Sequence, residues 1–139
     1  MFNNNNLVYC FTILESIEKI NIYTQPFQDE ELFYAANDQM NFNAVVSLLI
    51  AIGEESKKID MTIKNHYIFE WNDVSKMRDK ISHNYRGINP YMVWEITQNA
   101  LPRYKTLLID ILPQIEDYNI SLKDALTSDF YRHLAYLDT

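Results

Sequence analysis

Glycine is nearly missing from this chain: its 139 residues include 2 Gly, 4 Pro and a single Cys. So little glycine leaves no material for a Gly-rich phosphate loop, and too few turn residues for a β-sandwich or barrel. The lone Cys10 excludes an internal disulfide framework and fits a reducing compartment. Long apolar runs are missing as well. The richest, Ala44 to Ile52, is interrupted by Ser47 and falls far short of the ~20 residues that span a bilayer. The opening Met-Phe-Asn-Asn-Asn-Asn has neither the basic start nor the small-residue cleavage site of a signal peptide, so a cytoplasmic protein with no membrane partner is expected. Histidine is scarce too. His66 and His133 have no second His or Cys at ligand spacing, and neither a metal nor a cofactor is expected.

What is present is apolar and acidic. Hydrophobic residues make up 47% of the chain, enough for one domain over residues 1–139 that buries roughly 68% of its unfolded surface without a metal or disulfide. The formal charge is −7, which taken alone argues against a nucleic-acid partner. Its distribution qualifies that. Residues 71 to 105 hold six bases (Lys76, Arg78, Lys80, Arg86, Arg103, Lys105) against three acids (Asp73, Asp79, Glu95), so a +3 strip stands on a body of −10.

Apolar residues recur in steps of three and four, the period of amphipathic helices. After a polar lead-in over residues 1–6 that is expected to fray, Leu7 to about Asn21 forms the first helix. Asp29 caps a short second one, and a long helix from about Asp38 to Ile59 carries the stripe Phe42, Val45, Val46, Leu49, Ile52, Gly53 and Ser56. The small residues closing that stripe allow a neighbouring backbone to come close. Residues 60–70 read as a connector. A helix then runs from Asn72 or Asp73 to about Tyr85, stopped by Gly87 and Pro90. Asn89-Pro90 caps the next helix, which Pro102 should kink or split. Ser121 with Asp124 resembles a capping box and opens a last helix over residues 121–139. The expected fold is an all-α bundle of four to six helices with an antiparallel up-down core.

The segment Met77-Arg78-Asp79-Lys80-Ile81-Ser82-His83-Asn84-Tyr85-Arg86 concentrates a guanidinium, an imidazole, a phenol and further cations. Such groups suit phosphodiester cleavage. A His can take the proton from a ribose 2′-hydroxyl or protonate the leaving oxygen, while an Arg holds the phosphate and stabilises its developing charge. The 2′-hydroxyl requirement makes RNA the substrate. On one helix His83 would stand about 140° around the axis from Arg78, so a shared site needs the helix end to unwind near Gly87 or a second copy to face it. The competing reading is a solvated basic face, with His83 as a cation at a helix C-terminus and Tyr85 as a packing residue.

Arg78-x4-His83-x-Tyr85 resembles the signature of HepT-like proteins, minimal members of the HEPN ribonuclease superfamily. Ile52-Gly53-Glu54 with Ser56 and Lys57, Val93-Trp94-Glu95, and Leu101-Pro102 agree with that family in order and spacing, and the resemblance covers roughly residues 7 to 115. It implies a HEPN-type helical bundle and a metal-independent endoribonuclease that is the toxin of a toxin–antitoxin pair. It further implies a homodimer with two signatures facing one cleft, in which Arg78 and His83 are catalytic and Asp79 supports them; the cations Lys76, Lys80 and Arg86 of the basic strip are expected to bind RNA. Tyr85 matches the tyrosine to which a partner nucleotidyltransferase of MntA type adds AMP, placing negative charge where RNA phosphate must bind. Asn84 and Arg86-Gly87 depart from the family pattern, the Gly standing two places late. Glu54 reads as a buried helix acid paired with a cation rather than a catalytic group, and Trp94 as a core residue rather than an RNA-stacking platform. The alternative function is a non-catalytic helical protein that binds a nucleotidyltransferase or a nucleotide.

Overall fold

The computed structural model describes residues 1–84 and 87–139 and, for His83 and Asn84, the backbone alone; Tyr85 and Arg86 lie outside the described residues. The fold is helical, built on two long helices, α1 (Asn6–Thr24) and α3 (Met40–Lys58), which pack along one another. Leu7, Cys10, Phe11, Leu14 and Ile17 of α1 meet Phe42, Val45, Leu49 and Ile52 of α3 in a single core, which holds 28 buried apolar side chains among the described residues. Val46 lies at its margin rather than inside it. Short α2 (Glu30–Ala35) starts at Asp29, whose carboxylate accepts from the Leu32 amide at 2.9 Å. Asn37, Asp38 and Gln39 are all left-handed, which delays the start of α3 to Met40.

Several expectations are corrected by the structure. The lead-in over residues 1–6 does not fray. Phe2 pairs in parallel with Ile115, donating to the Gln114 carbonyl and accepting from the Glu116 amide, both at 2.9 Å. Asn6 is fully buried and exchanges hydrogen bonds with Asp60, whose amide reaches its side-chain oxygen at 2.9 Å. The connector over residues 60–70 contains α4 (Met61–His66). The helix foreseen to reach Tyr85 is two short ones, α5 (Trp71–Ser75) and α6 (Met77–Ile81), broken at Lys76 (φ −104°, ψ 36°). It ends at Ile81, whose carbonyl takes the Asn89 amide at 2.9 Å, because the chain there turns into a two-stranded antiparallel ribbon, β1 (Ser82–Asn84) and β2 (Gly87–Ile88).

Downstream, Asn89 caps α7 (Pro90–Glu95), its side chain accepting from the Met92 amide at 3.2 Å. Pro102 cannot donate to the helical ladder, and a π-turn over Ile96–Ala100 stands just upstream of it. The rod then continues as α8 (Leu101–Ile111). The last helix is not 121–139. Left-handed Asp117 (φ 65°) starts α9 (Tyr118–Ala125) ahead of Ser121, and a 3₁₀ segment follows over Asp129–Leu137. That segment lies against α1, with Leu134 buried, Tyr131 Oη 3.0 Å from Thr12 Oγ1, and His133 joined to the buried Glu15 carboxylate through both its amide and its ring.

Candidate functional site

The signature arginine is placed by the small end of the α3 stripe. A Cβ on Gly53 would stand 3.0 Å from both the Val74 carbonyl oxygen and Met77 Cβ, tighter than ordinary packing, so glycine lets the α5–α6 junction come this close to α3 without being pushed back. Met77 and Ile81, one turn apart, bury α6 against that surface. At roughly 100° per residue, the three residues between them must face outward. Arg78, Asp79 and Lys80 are exposed accordingly, Asp79 at the crest with Arg78 and Lys80 on opposite flanks. His83 follows in β1, outside the helix, so the 140° separation of an uninterrupted helix does not apply. Unwinding begins well before Gly87. Gly87 itself serves the ribbon, with φ at 127°, a region that favours glycine. The expectations for Tyr85 and Arg86, and for the side chain of His83, lie outside the described residues.

The +3 strip of the sequence does not form one cationic face. Arg103 is held by Glu70 at 2.6 Å, and that hydrogen bond keeps the Glu70 carboxyl below the ordinary carboxylate range. Lys105 turns to Glu18 of α1 at 2.9 Å, and Lys80 lies 3.7 Å from Asp73. Lys76, at the helix break, and Arg78 are exposed and have no ion-pair partner among the described residues. Beside α6, between α4 and α5, runs a groove of about 410 Å³ that the sequence did not announce. Its floor is Phe69 and Trp71, with ring centroids 5.5 Å apart; Lys64, Asn65, Asn72 and Ser75 stand around it.

Other singled-out residues are structural. Glu54 is exposed and pairs with Lys57 at 3.2 Å, a cation partner as expected but without burial. Trp94 packs on Phe33, ring centroids 5.4 Å apart. His66 packs edge-on against Phe2. Among the described residues no group of three His, Cys, Asp or Glu side chains stands at metal-holding geometry, and no helix is long and apolar enough to cross a membrane.

A helical bundle that presents an exposed Arg on a five-residue helix, with a His in the ribbon just beyond it, has the build of an HEPN-type protein. Residues 13–111 match the family described as Ribonuclease HepT-like, and the chain belongs to that family. It is 32% identical over 98 residues to a "Probable ribonuclease HepT" of Thermococcus cleftensis, covering 70% of this chain and 86% of the relative. A "Putative RNase" of Methanocaldococcus jannaschii is 32% identical over 109 residues, 78% of this chain and 88% of that one. A longer protein of the same organism, named both gamma-glutamylcyclotransferase and putative RNase, is 28% identical over 110 residues, and the match spans 48% of its length. No solved structure matches the chain.

Proposed function

We propose that this protein is a metal-independent endoribonuclease and the toxin of a toxin–antitoxin pair. The observation that carries the reading is membership of the HepT-like family over a segment that contains Arg78-x4-His83-x-Tyr85. Support comes from the placement of Arg78 on an outward face of α6, with the backbone of His83 in the ribbon directly after it. In the reaction His83 takes the proton from a ribose 2′-hydroxyl, and the 2′-oxygen attacks the adjacent phosphorus. The bond to the 5′-oxygen breaks, that oxygen collects a proton, and the products are a 2′,3′-cyclic phosphate and a 5′-hydroxyl. Arg78 holds the phosphate as charge gathers on it. Asp79, at the crest of α6, orients the arginine, while Lys76, Lys80 and Arg86 meet neighbouring phosphates.

Two copies complete the site, each bringing one signature to a common cleft. Control lies with a nucleotidyltransferase antitoxin of MntA type: the Tyr85 hydroxyl oxygen attacks the α-phosphorus of ATP, pyrophosphate leaves, and the attached AMP puts negative charge and bulk at the RNA phosphate site. The test is cleavage of RNA in the presence of EDTA. Arg78→Ala and His83→Ala each are expected to lower the rate by about 10²-fold or more, and a 2′-O-methyl substrate should resist cutting. Equal cleavage by the double variant would overturn the assignment.

A further inference from the structure

The groove between α4 and α5 lies next to the proposed catalytic helix yet plays no part in the reaction just described. Its floor is aromatic and firmly held. Trp71 donates its indole N–H to the Tyr67 carbonyl at 2.9 Å, and Phe69 is stacked on the buried Tyr104 ring, centroids 5.1 Å apart and planes 19° from parallel. Around that floor stand uncharged polar groups, Asn65, Asn72 and Ser75, and the ammonium of Lys64, while the Arg103 guanidinium, bound to Glu70, lies over the Phe69 ring 6.0 Å from its centroid. An apolar floor with a few convergent amides and a hydroxyl is the chemistry that receives a nucleobase, and an adjacent ammonium is what receives its phosphate. Both acids on the groove are already engaged, Glu70 by Arg103 at 2.6 Å and Asp73 by Lys80 at 3.7 Å, so its walls do not simply repel a polyanion. Lys64 is partly withdrawn from water, which lowers its basicity; a bound phosphate would offset that cost.

One ion pair ties the groove to the catalytic helix. Asp73 lines it and holds Lys80, which occupies the flank of α6 opposite Arg78. A strand whose scissile phosphate sits at Arg78 therefore crosses the crest of α6 and reaches the groove a nucleotide or two further on, given a helix about 10 Å across. We propose that this groove is a nucleotide subsite for single-stranded RNA, with the base over Phe69 and Trp71 against Asn65 and Asn72, and the phosphate on Lys64. The assignment rests on the ribonuclease reading for its occupant, and it makes the groove the place where base preference is set.

The experiment is binding of a fluorescent 2′-O-methyl oligoribonucleotide, which cannot be cut, to the full chain and its variants, run beside cleavage of the unmodified oligonucleotide. Lys64→Ala and Asn72→Ala are expected to weaken binding about tenfold and to change which bases flank the cut, whereas Lys123→Ala on distant α9 leaves both unchanged. Bound oligonucleotide should also shield Lys64, but not Lys123, from acetylation read by mass spectrometry. Cleavage and binding that are indifferent to Lys64 and Asn72 would overturn the subsite and leave the ribonuclease standing. Binding that depends on them without any cleavage would keep the subsite and overturn the ribonuclease. No binding by the native chain would overturn both.

Discussion

Ser56 and Tyr104 share one buried hydrogen bond at 2.7 Å, and the two ends of that bond are not equivalent. Ser56 also donates to the Ile52 carbonyl at 2.7 Å, so Tyr104→Phe leaves the serine satisfied. Ser56→Ala instead strands the Tyr104 hydroxyl in the core and is expected to cost about 1–3 kcal/mol, clearly the more damaging of the two in urea denaturation. Cys10 makes a second residue-scale prediction. Burial pushes its thiol up to about 12, so a thiol reagent at pH 8 should find no reactive group in the native protein and one in the denatured chain. The sign of the pH dependence follows. Above the ordinary thiol value of 9.0 the unfolded chain releases this proton and the native one does not, so Cys10 makes stability fall between pH 9 and about 12. Both residues were legible, since Cys10 and Ser56 stand on apolar stripes of helical period. The Glu15–His133 contact was not. Its partners are 118 residues apart in sequence, and no local pattern announces a buried carboxylate waiting for a tail.

Elements whose ends depend on nearby residues could be read directly. Asp29 and Asn89 cap α2 and α7 because a short acceptor beside the first turn is a local matter. The break at Lys76 is a tertiary matter. Helical spacing runs through Val74, Met77 and Ile81 without a flaw, and only the fit of the α5–α6 junction over Gly53 and the return of Asn89 to Ile81 divide and end the helix. Likewise Ser121 and Asp124 have the spacing of a cap, but Asp117 starts the helix first. Gly53 thus links the core to the candidate site. Gly53→Ala is expected to destabilise the protein by roughly 1–3 kcal/mol through overpacking. It should lower RNA cleavage further than the melting shift explains, because Arg78 moves with the displaced junction; a variant with lowered melting temperature but native turnover when folded would contradict this.

At the scale of the whole molecule, the bundle architecture was evident from glycine scarcity and helical period, while the charge distribution was only half evident. Sequence position grouped six cations between residues 71 and 105, but in space Arg103 and Lys105 are spent on acids elsewhere in the bundle. Few cations then remain for phosphates, and the salt dependence of RNA binding should be shallow. With the five cations assigned to phosphates above, a plot of log affinity against log salt is expected to slope by roughly −3 to −4. A slope twice as steep would mean that the paired cations open to RNA. The seam of Phe2 with Ile115 has a consequence in time rather than in strength. Asn4 and Asp117, bonded at 2.8 Å beside that seam, are 113 residues apart, so the closing of this loop is among the most entropically costly contacts in the fold. On the ribosome Phe2 and Asn4 have no place to dock until Ile115 and Asp117 have emerged, and the nascent α1 waits with its leading end open.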